Sequence, residues 1–375
     1  MADLQTRLAE LASAVANPKS RLEYYLGQGK KVVGCFPAYT PEELVHASGM
    51  IPMGLWGAQT EWKEVKRYLP AFACPIMQSN LELGLRGAYK GLSAVIIPTL
   101  CDTFRCISQD WRFAVTDIPM VPVTQPQNNA NDGSTDFLVA EYEAVLTKLS
   151  VLTGMKMTDA ALEETIEIYN EHSRLMQEFT RVANDHLDII TPTIRHIIMK
   201  SAQFYEKAEH SAVMKDIIAG LNGLAKYEFT GKKVILSGIT AEPTEILDIL
   251  SEYKIAVVGD DLVQESHQYR VLIPDQGGSA IRRLALQWRS RKGCSLIHED
   301  FKSRGEMLAE LAKKNGATGA IYCQMKFCDP EEYDYPICAR KLRAEGIQVL
   351  QLDIDQQKGS FEQVRTRIQT FSEML

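Results

Sequence analysis

A motif that occurs twice constrains the fold more than any other feature. GKKVVGCFP at residues 29–37 and GKKVILSGI at residues 231–239 each open an alternation of short apolar runs and amphipathic stretches. After the first come PEELVHASG, the run IPMGLWG, a stretch opened by Cys74-Pro75, the run Ala94–Pro98, a stretch from Phe104 to Val115 and the run PMVPVTQP. After the second come EPTEILDILSEY, IAVVGDD, GSAIRRLALQW, ATGAIYC, a further helical stretch and QVLQLDID. Short apolar runs bounded by Gly and Pro are buried strands, and their alternation with helices predicts parallel sheets covered on both faces.

The remainder is expected to be helical. Leu4, Leu8, Leu11 and Val15 make one helix face, and TDAALEETIEIYNEHSRLMQEFTRVAND keeps helical spacing over a long span. The expected organisation is an N-terminal helix (1–28), a first α/β domain (29–134), a helical connector (135–229) and a second α/β domain (230–375). The fold class is therefore α/β, with two Rossmann-like or flavodoxin-like parallel-sheet domains; 375 residues suffice for two cores. His172, His186, His196 and His210 fall in the connector, where their spacing places them on solvated faces rather than in a ligand set.

Composition narrows the chemistry. A net charge of -7 without a long basic run argues against a nucleic-acid partner. The acid-containing amphipathic start is unlike a signal peptide, and no apolar stretch is long enough for a bilayer, so a cytoplasmic protein is expected. Eight cysteines in that setting point to metal binding or catalysis before disulfides, with buried structural thiols as the bland alternative.

Position selects among these thiols. Cys101-Asp102 and Cys328-Asp329 each follow a strand and precede a helix, and ligands of open α/β sheets sit outside the carboxyl ends of strands. Cys74 opens a helix, whose dipole and free N–H groups favour a thiolate. Together they would form a three-thiol set drawn from both domains. Cys106, about one turn beyond Cys101, and Cys323, still within its strand, are alternatives; Cys35, Cys294 and Cys338 are expected to be core or surface residues. Soft thiolates suit an iron-sulfur cluster or zinc before magnesium or calcium, and zinc would need a fourth ligand that no nearby histidine supplies.

Weaker candidates have ordinary explanations. Gly277-Gly278-Ser279 lacks a nucleotide-loop pattern and reads as a loop. His46 is a lone helix histidine. Glu42 and Glu43, like Asp329, Glu331 and Glu332, sit in first helical turns, where the dipole favours acids without any catalytic duty. Trp56 and Gln59 could line a cleft, Trp56 equally the core.

FACPIMQS around Cys74, PTLCDTFRC around Cys101, KFCDPEEYDYP around Cys328 and the tail QQKGSFEQVRTRIQTF together resemble the 2-hydroxyacyl-CoA dehydratases, more closely their smaller beta subunit, nearly end to end. The resemblance implies one 4Fe-4S cluster per chain on Cys74, Cys101 and Cys328. It also implies a heterodimer with a larger homologous alpha subunit, and a separate ATP-dependent iron-sulfur activator that injects one electron. The activity implied is removal of water from an (R)-2-hydroxyacyl-CoA bound at or near the partner subunit, giving an (E)-2-enoyl-CoA through a ketyl radical. No catalytic acid or base and no fourth cluster ligand carries over to this chain. Two other readings are a subunit of a benzoyl-CoA reductase-like or homodimeric double-cubane cluster reductase, and a cluster-free α/β binding module.

Overall fold

The computed structural model describes residues 2–154, 156–357 and 359–375. Each copy of the repeated motif begins a four-stranded parallel sheet, and the two sheets share one strand order. β1 (Val32–Cys35), β2 (Ile51–Gly54), β3 (Ala94–Pro98) and β4 (Met120–Val123) are arranged β2-β1-β3-β4. β5 (Lys232–Gly238), β6 (Ile255–Leu262), β7 (Gly319–Met325) and β8 (Gln348–Ile354) are arranged β6-β5-β7-β8. Val33 is in register with Ala94 across β1 and β3, and Val234 with Gly319 across β5 and β7. Strand order reverses between those pairs, which makes the carboxyl ends of β1/β3 and β5/β7 the crevices where such sheets bind ligands.

The N-terminal segment is two helices, not one. α1 (Ala2–Ala16) presents Leu4, Leu8 and Leu11 to the core, and Pro18 then starts α2 (Pro18–Gly27), since a proline is accommodated in the first turn of a helix but not within one. Around the first sheet lie α3 (Glu42–Ala47), α4 (Pro75–Leu85) and α5 (Asp102–Ala114). α6 (Ser134–Thr153), α7 (Asp159–Ala183), α8 (Pro192–Ser201) and α9 (Lys207–Asn222) follow, with no strand among the described residues of this stretch. The second sheet carries α10 (Glu245–Glu252), α11 (Ala280–Arg289), α12 (Arg304–Lys314), α13 (Asp329–Ala344) and α14 (Glu362–Met374). No helix among the described residues is long and apolar enough to cross a membrane.

The middle helices form a packed layer: α7 lies on α9 and α3, and α1 covers α8 and α9. This corrects the expected placing of its histidines, for His172, His186, His196 and His210 are all buried. Helical spacing identifies an apolar face, but here the opposite face is covered as well. His172 Nε2 pairs with His210 Nδ1 at 2.9 Å, and His210 Nε2 with Ser201 Oγ at 2.9 Å. Burial holds both imidazoles neutral, His210 at a pKa of about 3.

His196 behaves oppositely. Burial alone would lower its pKa, but hydrogen bonds to Glu242 and Glu265, the latter at 2.7 Å, outweigh it and raise the ring to about 9. Glu242, which also pairs with Lys200, is the depressed carboxylate of the group. Because the folded value exceeds the usual one near 6.5, this stabilisation is full below pH ~6.5 and lost as pH rises through about 9. It amounts to roughly 3 kcal/mol at most. Urea midpoints measured from pH 6.5 to 8.5, below the range where the buried thiols add their own pH dependence, are expected to fall in the native chain, and His196→Gln to reduce that fall. An unchanged slope in the variant would assign it elsewhere.

Candidate functional site

Cys101 is the N-cap of α5, three residues beyond the end of β3, and Cys328 is the N-cap of α13, three residues beyond β7. The third strand of each sheet thus ends in a thiol at its switch point, as the matching Cys-Asp pairs suggested. Cys74 is the N-cap of α4, with Pro75 at its first helical position. All three are half-buried and line one cavity of about 550 Å³ between the two sheets. Cys106 is exposed on α5 and Cys323 is buried inside β7, so neither alternative thiol reaches this cavity. Cys35, Cys294 and Cys338 are buried.

The electrostatics of Cys74 differ from the sequence expectation. Burial pushes its thiol up to about 12, and the N–H groups of Met77 and Ile76 oppose this without overcoming it. The helix end favours the thiolate, but desolvation acts on the whole charge and is the larger effect. Cys101 is raised by burial against the N–H groups of Phe104 and Thr103; Cys328 is raised by burial and then by the Glu331 carboxylate. None of the three side chains closes a full cap hydrogen bond, although first-turn N–H groups face each sulfur.

Among the described residues, no group of three His, Cys, Asp or Glu side chains is placed to hold a metal ion at one point. A four-metal cluster is a larger object and spaces its thiolate ligands farther apart than a single ion does. Three thiols distributed around one cavity, walled by the apolar side chains of Ile76, Phe104 and Leu296, fit that larger group. Ligation would displace the thiol protons that burial now retains.

Supporting residues pin the cavity. Trp56 is buried and forms one wall, with its carbonyl accepting a 2.9 Å bond from Gln356 Nε2 beyond β8. Gly57 follows at φ +73, where an added Cβ would lie 2.4 Å from Gln356 Oε1, so the turn requires glycine. Gln59 is not among the lining residues. Phe327, immediately before Cys328, adopts φ +59, an uncommon conformation for a bulky residue, at the turn that delivers the thiol.

Behind Cys328 is an ion network that composition could not reveal. Arg304, 1% exposed, donates to Asp261 (2.8 Å), Tyr322 (3.0 Å), Glu331 (2.7 Å) and Ser237 (3.2 Å). Glu331 is therefore a buried ion-pair member and not merely a capping acid, and Ser295 from the cavity wall also donates to it at 2.6 Å. His46 bridges Thr165 (2.8 Å) and Glu206 (2.9 Å), a packing role. Glu42 pairs with Lys207 at 2.9 Å.

Fold and site together define an α/β protein of two like parallel sheets whose carboxyl edges enclose a thiol-lined cavity. The family described as 2-hydroxyglutaryl-CoA dehydratase, D-component, matches residues 37–375, and the chain belongs to it. The chain is 44% identical over 377 residues to the lactoyl-CoA dehydratase subunit beta of Anaerotignum propionicum, covering 100% of both. It is 42% identical to the (R)-phenyllactyl-CoA dehydratase beta subunit of Clostridium sporogenes, covering 96% of each. It is 35% identical to the (R)-2-hydroxyglutaryl-CoA dehydratase subunit beta of Acidaminococcus fermentans, covering 98% of each. These relatives are CoA dehydratase components, and the chain is accordingly an enzyme subunit of the hydro-lyase class.

Proposed function

We propose that this chain is the beta subunit of a cytoplasmic (R)-2-hydroxyacyl-CoA dehydratase, partnered by a larger homologous alpha subunit. The observation that carries the reading is the convergence of Cys74, Cys101 and Cys328 on one cavity in a chain that matches dehydratase beta subunits end to end. Those three residues would hold one four-iron cluster, which supplies a one-electron store between an ATP-dependent activator and the substrate site at or near the partner. The division into an N-terminal helical piece, two α/β domains and a helical connector accords with this, since the thiols then come from both α/β domains.

The chain's own residues prepare the cavity. Trp56, Ile76 and Phe104 limit water at the thiols, and the first-turn N–H groups of α4, α5 and α13 face the sulfurs and favour their charged form. The overall reaction needs more than acid/base catalysis, because the hydrogen removed is beta to the thioester carbonyl and is not acidified by it. One-electron reduction of the carbonyl to a ketyl radical allows the neighbouring hydroxyl to leave and makes that hydrogen acidic.

Anaerobic co-expression with a larger homologous subunit tests the reading. The expected result is a heterodimer that dehydrates 2-hydroxyacyl-CoA esters only with activator, ATP and a reductant. Full activity from this chain alone would overturn it.

A further inference from the structure

A second, smaller cavity shares Trp56 and Ala38 with the thiol-lined one and extends away from it toward α3, α7 and α9. Its volume is about 70 Å³. That is far below the roughly 300–1,000 Å³ of pockets that enclose drug-sized ligands, so a CoA ester is excluded. It is nonetheless built for a ligand. Tyr169 Oη, Tyr269 Oη and Gln203 Nε2 are buried, line this cavity and have no hydrogen-bond partner among the described residues. All three can donate, so they share a need for an acceptor.

Charge narrows the acceptor. Arg291 lines the same cavity, is only 8% exposed and forms no ion pair among the described residues. Its partners are the His267 carbonyl at 3.4 Å and the Tyr39 ring, 4.6 Å from the guanidinium carbon to the ring centroid. A buried guanidinium without a counter-ion is costly, and buried charges are ordinarily paired. The other cation on the lining, Lys207, is already matched by Glu42. Glu43 is the remaining acid, and burial, with Glu42 beside it, raises it to about 7 against the pull of Arg291 and Lys207. The other titratable groups around Glu43 are Tyr142 of α6, Tyr169 and His172 of α7, and Cys35 of β1, all held in their neutral forms by burial. With Glu43 protonated, the cavity carries one uncompensated positive charge.

We infer that this chamber is a binding site for a small monocarboxylate, held by Arg291 and by the hydroxyls of Tyr169 and Tyr269. One unpaired cation suits a monoanion over phosphate or sulfate, and the volume suits formate or acetate over longer acids. Ionised Glu43 and the ligand compete for the same guanidinium. Binding is therefore proton-linked, and since none of Cys74, Cys101 and Cys328 lines this chamber the inference does not rest on the dehydratase reading.

The test is calorimetric titration of the purified full-length chain with formate and with acetate at pH 6 and pH 8. Saturable binding is expected at pH 6, about tenfold weaker at pH 8, because it requires the protonated acid. Glu43→Gln should bind equally at both pH values. Arg291→Gln should abolish binding, and Tyr169→Phe, which removes one unpartnered hydroxyl and keeps the ring, should weaken it several-fold in a chain that still folds. Absence of saturable heat at pH 6 would overturn the assignment and leave ordered water as the occupant; affinity unchanged by Tyr169→Phe, or an equal response to sulfate, would overturn it in favour of unselective anion binding.

Discussion

Serine at Cys74, Cys101 or Cys328 is expected to strip the anaerobically purified chain of most of its iron and sulfide, whereas serine at Cys106 or Cys323 should leave both in place. The difference follows from placement. The first three line one cavity at helix N-caps, while Cys106 lies on the exposed side of α5 and Cys323 is enclosed in β7. Serine conserves size but replaces a soft thiolate with a hard, poorly acidic hydroxyl, which iron-sulfur clusters hold weakly. Cys328→Ser carries a second consequence. Cys74 and Cys101 belong to the segment of the first sheet and Cys328 to that of the second, so a cluster on all three would tie the two together. Its loss should increase proteolytic cutting near the cavity as well as lower the metal content. Iron analysis after cysteine-free desalting provides the readout. Unchanged iron in all three variants would reject the ligand set and favour structural thiols.

These thiols were legible because each sits beside a strong local signal. Fully buried parallel strands read as continuous apolar runs, and Ala94–Pro98 shows this so clearly that the structural limits of β3 coincide with the sequence reading. A cysteine just past such a run must lie at the carboxyl edge of the sheet. Partners distant in sequence were not legible. His46 meets Glu206, Asn129 Nδ2 meets the Trp288 carbonyl, and Gln356 meets Trp56, contacts that no periodicity encodes. The same limit explains Cys74, where a helix start is visible in Cys-Pro but the depth of burial that raises its pKa is not. It also explains connector histidines such as His172, since α7 shows its apolar spacing while the layers that cover its other side come from α3, α9, α11 and β6.

Arg304→Met should destabilise the protein by about 3–5 kcal/mol, the cost of leaving buried charges without their partner. The arginine donates to three strands of one sheet, through Ser237 of β5, Asp261 of β6 and Tyr322 of β7, and to Glu331 in the first turn of α13. Methionine replaces most of the stem but none of the five donors, so packing is largely kept and the electrostatic loss dominates. Asp261 retains Arg270 and His267, whereas Glu331 keeps only hydroxyl partners, Ser295 and Tyr322, and no cation among the described residues. The unpaired charge therefore falls on the helix that Cys328 caps. Glu331→Gln added to Arg304→Met should recover part of the loss, because it removes the buried anion that the first change stranded, and a double-mutant cycle by urea denaturation measures this directly. Strictly additive losses would mean that the pair does not interact, and that the position of α13, with its thiol, is fixed by packing alone.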